Sequence, residues 1–227
     1  MAQSNAEGAQ NTFNIANSSV TNLAGSGSIY HTEAAEKPFD LEKFKKVILF
    51  LAANPVSTQR SRLDEEVREI EAGLQRSKHR DRFTLKQQWA VRPRDLQRAM
   101  LDHQPQIVHF AGHGAGLTLE DNMGQPQPVT TEALAAMFSL FADSLECVVM
   151  SACYLQPQAQ AIARHIPYVI GMNRAVGDGS AIEFAVGFYD ALGAGESVEF
   201  AYKLGCSMIQ LSGITEQATP AIQRQLS

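Results

Sequence analysis

Residues 146–155 read ECVVMSACYL: an apolar run, Cys147-Val148-Val149-Met150, gives way to small residues, Ser151 and Ala152, and then to Cys153. Periodicity over so short a run does not separate a buried strand from a buried helix. The length and the paired valines favour a strand of a covered parallel sheet. Cys153 then falls just past the carboxyl end of that strand, where open α/β sheets place their chemistry. Upstream, residues 107–114 (IVHFAGHG) repeat the pattern: an apolar run, then small residues, then His113 between Gly112 and Gly114. A cysteine and a histidine each end a buried strand.

The bulk properties narrow the setting. A chain of 227 residues buries one sizeable core. A formal net charge of -5 does not favour nucleic acid as a partner. Three cysteines, an odd number without framework spacing, argue against a disulfide scaffold and fit a reducing compartment. The first residues are polar, unlike a secretory leader, and no apolar run approaches the roughly 20 residues that span a bilayer. The expectation is a soluble, cytoplasmic α/β protein without a membrane or nucleic-acid partner.

Residues 1–40 differ from the rest of the chain. The stretch 10–28, QNTFNIANSSVTNLAGSGS, is rich in Asn, Ser, Thr, Gly and Ala and carries no charge. Two readings fit it. Such a composition builds no core of its own and suits a disordered tail; its low charge, lack of proline and Asn/Ser/Thr ladders between apolar residues also suit stacked cross-β assembly.

From residue 41 the pattern is that of a folded domain, expected over 41–212, with a tail at 213–227. Residues 46–53 (KVILFLAA) read as a central strand. Ser61 with Asp64 three residues later resembles a capping box. Leu63, Val67, Ile70 and Leu74 recur at helical spacing, with Glu65, Glu66, Arg68 and Glu69 assigned mostly to the other face. Residues 82–91 alternate as a half-exposed strand. Pro93 suits the first turn of a helix continued by Leu96, Ala99 and Met100. Residues 117–129, with Gly124, Pro126 and Pro128, form a loop or irregular hairpin. Helices are predicted from Thr131 to Phe141 and from Gln156 to His165, then a fifth strand at 168–172, a loop at 173–179, and helices carrying Ala181–Leu192 and residues 197–211. Strands alternating with helices predict a mostly parallel sheet covered on both faces, without internal repeats.

A thiolate is the nucleophile of cysteine chemistry, so a catalytic cysteine needs a partly open setting and a base. Cys153 stands just ahead of a predicted helix start, and His113 supplies the base if the two strands are neighbours. The glycines beside His113 let a substrate backbone approach, and the amides of Gly114 and Cys153 form a candidate oxyanion pair. Cys147 and Cys206 have no such partner and read as small core residues. His109 and His113 are four apart on a strand-like run rather than a helix, so they do not read as a zinc pair; His109 reads as a core histidine with local hydrogen bonds. No metal or cofactor is expected.

HFAGHG followed about forty residues later by VVMSAC resembles the CHAT family of caspase-like cysteine peptidases, relatives of caspases and separase. The opening VILFLAANP, the helix LDEEVREIEAGL and the segment YVIGMNRAVGDGSAIEFAVGFYDALGAG are similar to that family as well, so the likeness covers about residues 45–211. It implies a caspase-like mostly parallel sheet, His113 as base and Cys153 as nucleophile. Asp178 stands where relatives that cut after basic residues place an acid of the specificity pocket, though it also suits a cap for the following helix. Metacaspase-like relatives often carry an acid two positions before the nucleophile; here that residue is Ser151, which leaves the P1 preference open.

The resemblance further implies an effector whose partners are a protein substrate, such as a pore-forming or other effector protein, and a sensor protein or a second copy engaged through residues 10–29. That segment is similar in composition to amyloid signalling motifs. The leading expectation is an assembly-regulated cysteine endopeptidase of bacterial-type antiviral defence or programmed cell death. The alternative is a non-catalytic caspase-fold interaction module whose N-terminal segment joins signalling fibrils. A flavodoxin-like small-molecule binder rests on fold class alone.

Overall fold

In the computed structural model, residues 12–15, 18–21, 45–53, 55, 62–112, 117–153, 156–216 and 219–225 are described. Residues 1–43 and 44–227 form two separate units. In the first, β1 (Thr12–Ile15) and β2 (Ser18–Thr21) pair antiparallel from Thr12 opposite Thr21 to Ile15 opposite Ser18. The rest of residues 1–40, including most of the stretch read as a disordered tail or a cross-β assembly segment, lies outside the described residues.

The second unit is built on β3 (Lys46–Ala53), whose last six residues are buried. Its neighbours are β4 (Phe83–Trp89), half-exposed at the sheet margin, and β5 (Ile107–Gly112), buried throughout. Two short strands, β6 (Thr118–Glu120) and β7 (Pro126–Pro128), pair antiparallel as the irregular hairpin expected after β5. Then come β8 (Cys147–Ser151), β9 (Tyr168–Met172) and β10 (Pro220–Arg224). The sheet runs β10-β9-β8-β5-β3-β4. Every pair from β9 to β4 is parallel, and β10 closes the other margin antiparallel to β9. Residues 213–227, set apart on the sequence as a tail, thus carry a sheet strand. Its PAIQR segment is short and half-polar, which hid it from a reading based on apolar runs.

Parallel strands need crossovers, and α1 (Leu63–Arg76), α2 (Pro93–His103), α3 (Thr131–Ser139) and α4 (Gln156–Ile162) lie on them, while α5 (Asp178–Ala194) and α6 (Val198–Leu211) lead from β9 to the antiparallel β10. Alternate residues of each strand point to opposite faces. Ile48 and Phe50 pack with Leu63, Val67 and Ile70 of α1 and with Phe184 and Phe188 of α5. Leu49, Leu51 and Val108 pack with Met100 of α2, Phe138 of α3 and Ile162 of α4 on the other side. α5 and α6 cross closely because both lack side chains at the contact: a Cβ on Gly205 would lie 2.7 Å from the Phe184 ring, and one on Gly187 2.9 Å from the Gly205 Cα.

Three helix starts differ in detail from expectation. Ser61 lies outside the described residues, and the N-cap of α1 is Arg62, whose carbonyl accepts from the amides of Glu65 and Glu66. α3 is capped one residue earlier than expected, by Thr130 Oγ1, which accepts from the Ala133 N–H at 3.2 Å. α5 starts at Asp178 rather than Ser180, with Gly177 as N-cap. Among the described residues no helix is long and apolar enough to cross a membrane.

Candidate active site

From β3 the chain moves to β4 on one side and then crosses to β5, β8 and β9 on the other. That reversal opens a crevice at the carboxyl ends of β3 and β5, and β8 ends beside it. β5 and β8 are direct neighbours, with Ala111 opposite Ser151. Gly112 ends β5 and touches β3: a Cβ there would lie 2.9 Å from the Ala53 carbonyl oxygen. The close approach of two strands therefore requires glycine at 112, in addition to any room it leaves for a substrate.

Cys153 follows β8 by two residues and is half-buried. The Val176 N–H donates to its Sγ at 3.4 Å, and the Val176 carbonyl lies 3.9 Å from the same sulfur. The loop after β9 thus holds the thiol from the side. Ser151, Cys153, Gly112, Val176, Asp178 and Glu66 line one recess with a volume of about 10 Å³, room for about one water.

Asp178 is the first residue of α5, whose N-cap is Gly177. Its Oδ2 accepts from the Arg62 backbone N–H at 3.3 Å, tying the start of α5 to the start of α1. Glu216 also serves the α5 N-terminus: its Oε2 accepts from the Gly177 N–H at 3.1 Å and from the Ser180 hydroxyl at 2.5 Å. A carboxylate there suits the partial positive charge of a helix start. Glu216 was not singled out on the sequence, since a contact across some forty residues leaves no local signal.

Behind Ser151 lies a buried polar group. His109 on β5 is fully buried. Its Nε2 is hydrogen-bonded to Ser151 Oγ at 2.9 Å and its Nδ1 to Tyr189 Oη at 3.0 Å. Both ring nitrogens are engaged, as in a core histidine, but by partners 42 and 80 residues away rather than by the local ones expected. Burial raises the Tyr189 hydroxyl well above its usual range, and its neighbours Cys147 and Glu66 oppose a phenolate further. Glu66 is 2% exposed. It sits on the buried side of α1, not with the solvent-facing acids where it was expected. One of its oxygens, Oε1, lies 3.1 Å from His109 Nε2, yet it has no hydrogen bond among the described residues; the ring nitrogen is directed at Ser151.

The other two cysteines fit a packing role. Cys147 is fully buried, and burial pushes its thiol up far from thiolate character. Burial also raises Cys206. Of the sequence-predicted site residues, the structure brings Cys153, Ser151 and Asp178 around one recess. His113 and Gly114 lie outside the described residues. Among the described residues no group of three or more His, Cys, Asp or Glu side chains gathers to hold a metal ion.

A family model described as "CHAT domain" matches residues 10–202. Among curated proteins, a "Probable protease" of Gillisia limnaea is 24% identical over 131 residues, covering 56% of this chain and 23% of that protein. A "Roc-COR-CHAT protease" from an unknown prokaryotic organism is 25% identical over 151 residues, covering 61% of this chain and 14% of that protein. The chain therefore spans less than a quarter of the curated relatives it matches. Among solved structures, a secreted C11 cysteine protease from Bacteroides thetaiotaomicron, in complex with an irreversible peptide inhibitor, superposes with a TM-score of 0.59 at 13% identity over 79% of this chain and 66% of its own. Caspase-1 from Spodoptera frugiperda does so with a TM-score of 0.50 at 9% identity over 81% of this chain and 88% of its own. The fold is caspase-like, a mostly parallel sheet between two layers of helices.

Proposed function

This chain belongs to the CHAT domain family, and from that premise we propose that it is a cysteine endopeptidase with Cys153 as nucleophile and His113 as base. The observation that carries the reading is the placement of Cys153: half-buried, at the carboxyl end of β8, beside the reversal point of a caspase-like sheet. The register supports the dyad. Ala111 stands opposite Ser151 on adjacent parallel strands, and His113 and Cys153 each follow that pair by two residues. The names of the curated relatives, both proteases, support the same activity.

In this reading His113 takes the thiol proton and Sγ attacks the scissile carbonyl carbon, while the amides of Gly114 and Cys153 hold the oxyanion. Collapse of that adduct breaks the C–N bond, and the amine leaves with the proton from His113. Water then hydrolyses the thioester and restores the thiol. Ser151 and Asp178 border the space that receives the substrate side chain ahead of the cut. The test is activity: purified protein and its Cys153→Ala variant are incubated with a peptide library and with candidate partner proteins. Cleavage by the first alone is expected, whereas cleavage by both, or by neither under every activating condition, contradicts the proposal.

The effector role is proposed on the N-terminal unit. A two-stranded hairpin is marginal in water by itself and offers edges on which further strands pair. Residues 10–29 are proposed to join a sensor protein or a second copy through such pairing, placing the peptidase where it cuts a partner protein in defence or cell death. A synthetic peptide of residues 10–28 is expected to form fibres with a cross-β diffraction pattern. A peptide that stays soluble and unstructured at high concentration sinks the assembly reading. Should Cys153→Ala keep the biological effect while deletion of 10–28 removes it, the chain is an interaction module instead.

A further inference from the structure

Glu66 has an unusual position. It is a carboxylate buried to 2% exposure, on the wall of the same recess as Cys153 and Asp178, with Oε1 outside any hydrogen bond among the described residues. A buried charge is costly unless it is paired and hydrogen-bonded. Among the described residues its one close basic neighbour, His109 at 3.1 Å, has both ring nitrogens engaged by the hydroxyls of Ser151 and Tyr189. Arg62 also lines the recess, but its guanidinium is paired with Glu65 at the exposed rim. Among the described residues of the lining, Glu66 is thus a buried carboxylate beside an arginine already engaged. Ala181 and Ile182 supply apolar wall beside them, which suits the methylene stem of a long cationic side chain.

We propose that Glu66 is the floor of the pocket for the substrate's P1 side chain and that this side chain is cationic, an arginine or lysine. The inference rests on the peptidase reading of Cys153. Ser151, the neutral position two residues before the nucleophile, is occupied by His109, so the acid that recognises P1 comes from α1 rather than from the β8 segment. As the recess stands it has room for about one water, so a P1 side chain enters as Val176 and its loop draw back from Cys153. Binding of the correct residue is thereby coupled to release of the thiol from the Val176 N–H.

The test compares the rates at which peptidyl acyloxymethyl ketones alkylate Cys153 of the full chain, read by mass spectrometry. Four probes differ only at P1: arginine, its neutral isostere citrulline, leucine and aspartate. The arginine probe is expected to react fastest. Glu66→Gln is expected to lower the arginine-over-citrulline ratio by roughly 10- to 100-fold, the loss of one charge-assisted contact. If Glu66 serves only to support His109, the variant slows both probes alike and the ratio stays put, which overturns the proposal. Faster reaction of the leucine or aspartate probe with the native chain overturns it too and leaves the peptidase reading standing. Should none of the four modify Cys153 in protein that melts cooperatively, the peptidase reading falls and this inference with it.

Discussion

At the scale of single residues, the candidate chemistry rests on Cys153, beside a recess that Ser151 and Glu66 also line. Cys153 was legible because an apolar run ends in small residues and then a thiol. Glu66 was misplaced among four neighbouring charges, although helical geometry could have found it: at 100° per residue it falls between Gly73 and Ile70, at the margin of the buried stripe. The His109–Ser151 and His109–Tyr189 contacts span 42 and 80 residues and had no local signature. Ser151→Ala should leave the His109 Nε2 without its hydroxyl partner and cost about 1–3 kcal/mol, measurable by urea unfolding. The alkaline limb of stability has a defined sign. Burial raises Tyr189 above its ordinary value of 10.0 and Cys147 above 9.0, so the native state keeps protons that the unfolded chain gives up. Stability is full below those ordinary values and falls as pH rises through them. Tyr189→Phe, in urea titrations between about pH 8 and about pH 11, should show a shallower fall than the parent; an equal or steeper fall contradicts the assignment.

At the scale of elements, the parallel strands and most helices were readable because each is a short apolar run or a stripe at helical period bounded by Pro, Gly or Asn. β3 and β9 begin and end where the apolar pattern does. The two glycines between α5 and α6 were not readable as contact points, since a glycine within a helix gives no indication of what crosses it. Gly205→Ala pushes a methyl group to 2.7 Å from the Phe184 ring and should cost about 1–3 kcal/mol by overpacking, seen as a lower melting temperature without loss of helical signal. Gly112→Ala acts closer to the chemistry. Its Cβ meets the backbone oxygen of Ala53 at 2.9 Å, an atom that cannot rotate away, so β5 must shift against β3. Slower alkylation of Cys153 is the expected result, with native-like kinetics arguing against a strained junction.

At the scale of the molecule, the fold class followed from the order of elements, because alternating strands and helices leave few ways to build a covered parallel sheet. The closing strand β10 and the Glu216 cap did not follow, because both depend on a half-polar segment returning to β9 and α5 from the far end of the chain. That return makes the C-terminal segment part of the site's scaffold. Truncation before residue 213 should expose the β9 edge, free the Gly177 amide and Ser180 hydroxyl, and slow alkylation of Cys153 along with lowering the melting temperature; an unchanged rate would show that the Val176–Asp178 loop holds its place without Glu216. The central claim is that Cys153 is the nucleophile of a peptidase, and mapping the adduct of a peptidyl acyloxymethyl ketone by mass spectrometry tests it most directly. Modification is expected at Cys153 and none at Cys147 or Cys206. A folded chain whose Cys153 accepts iodoacetamide but none of the peptidyl probes would contradict that claim.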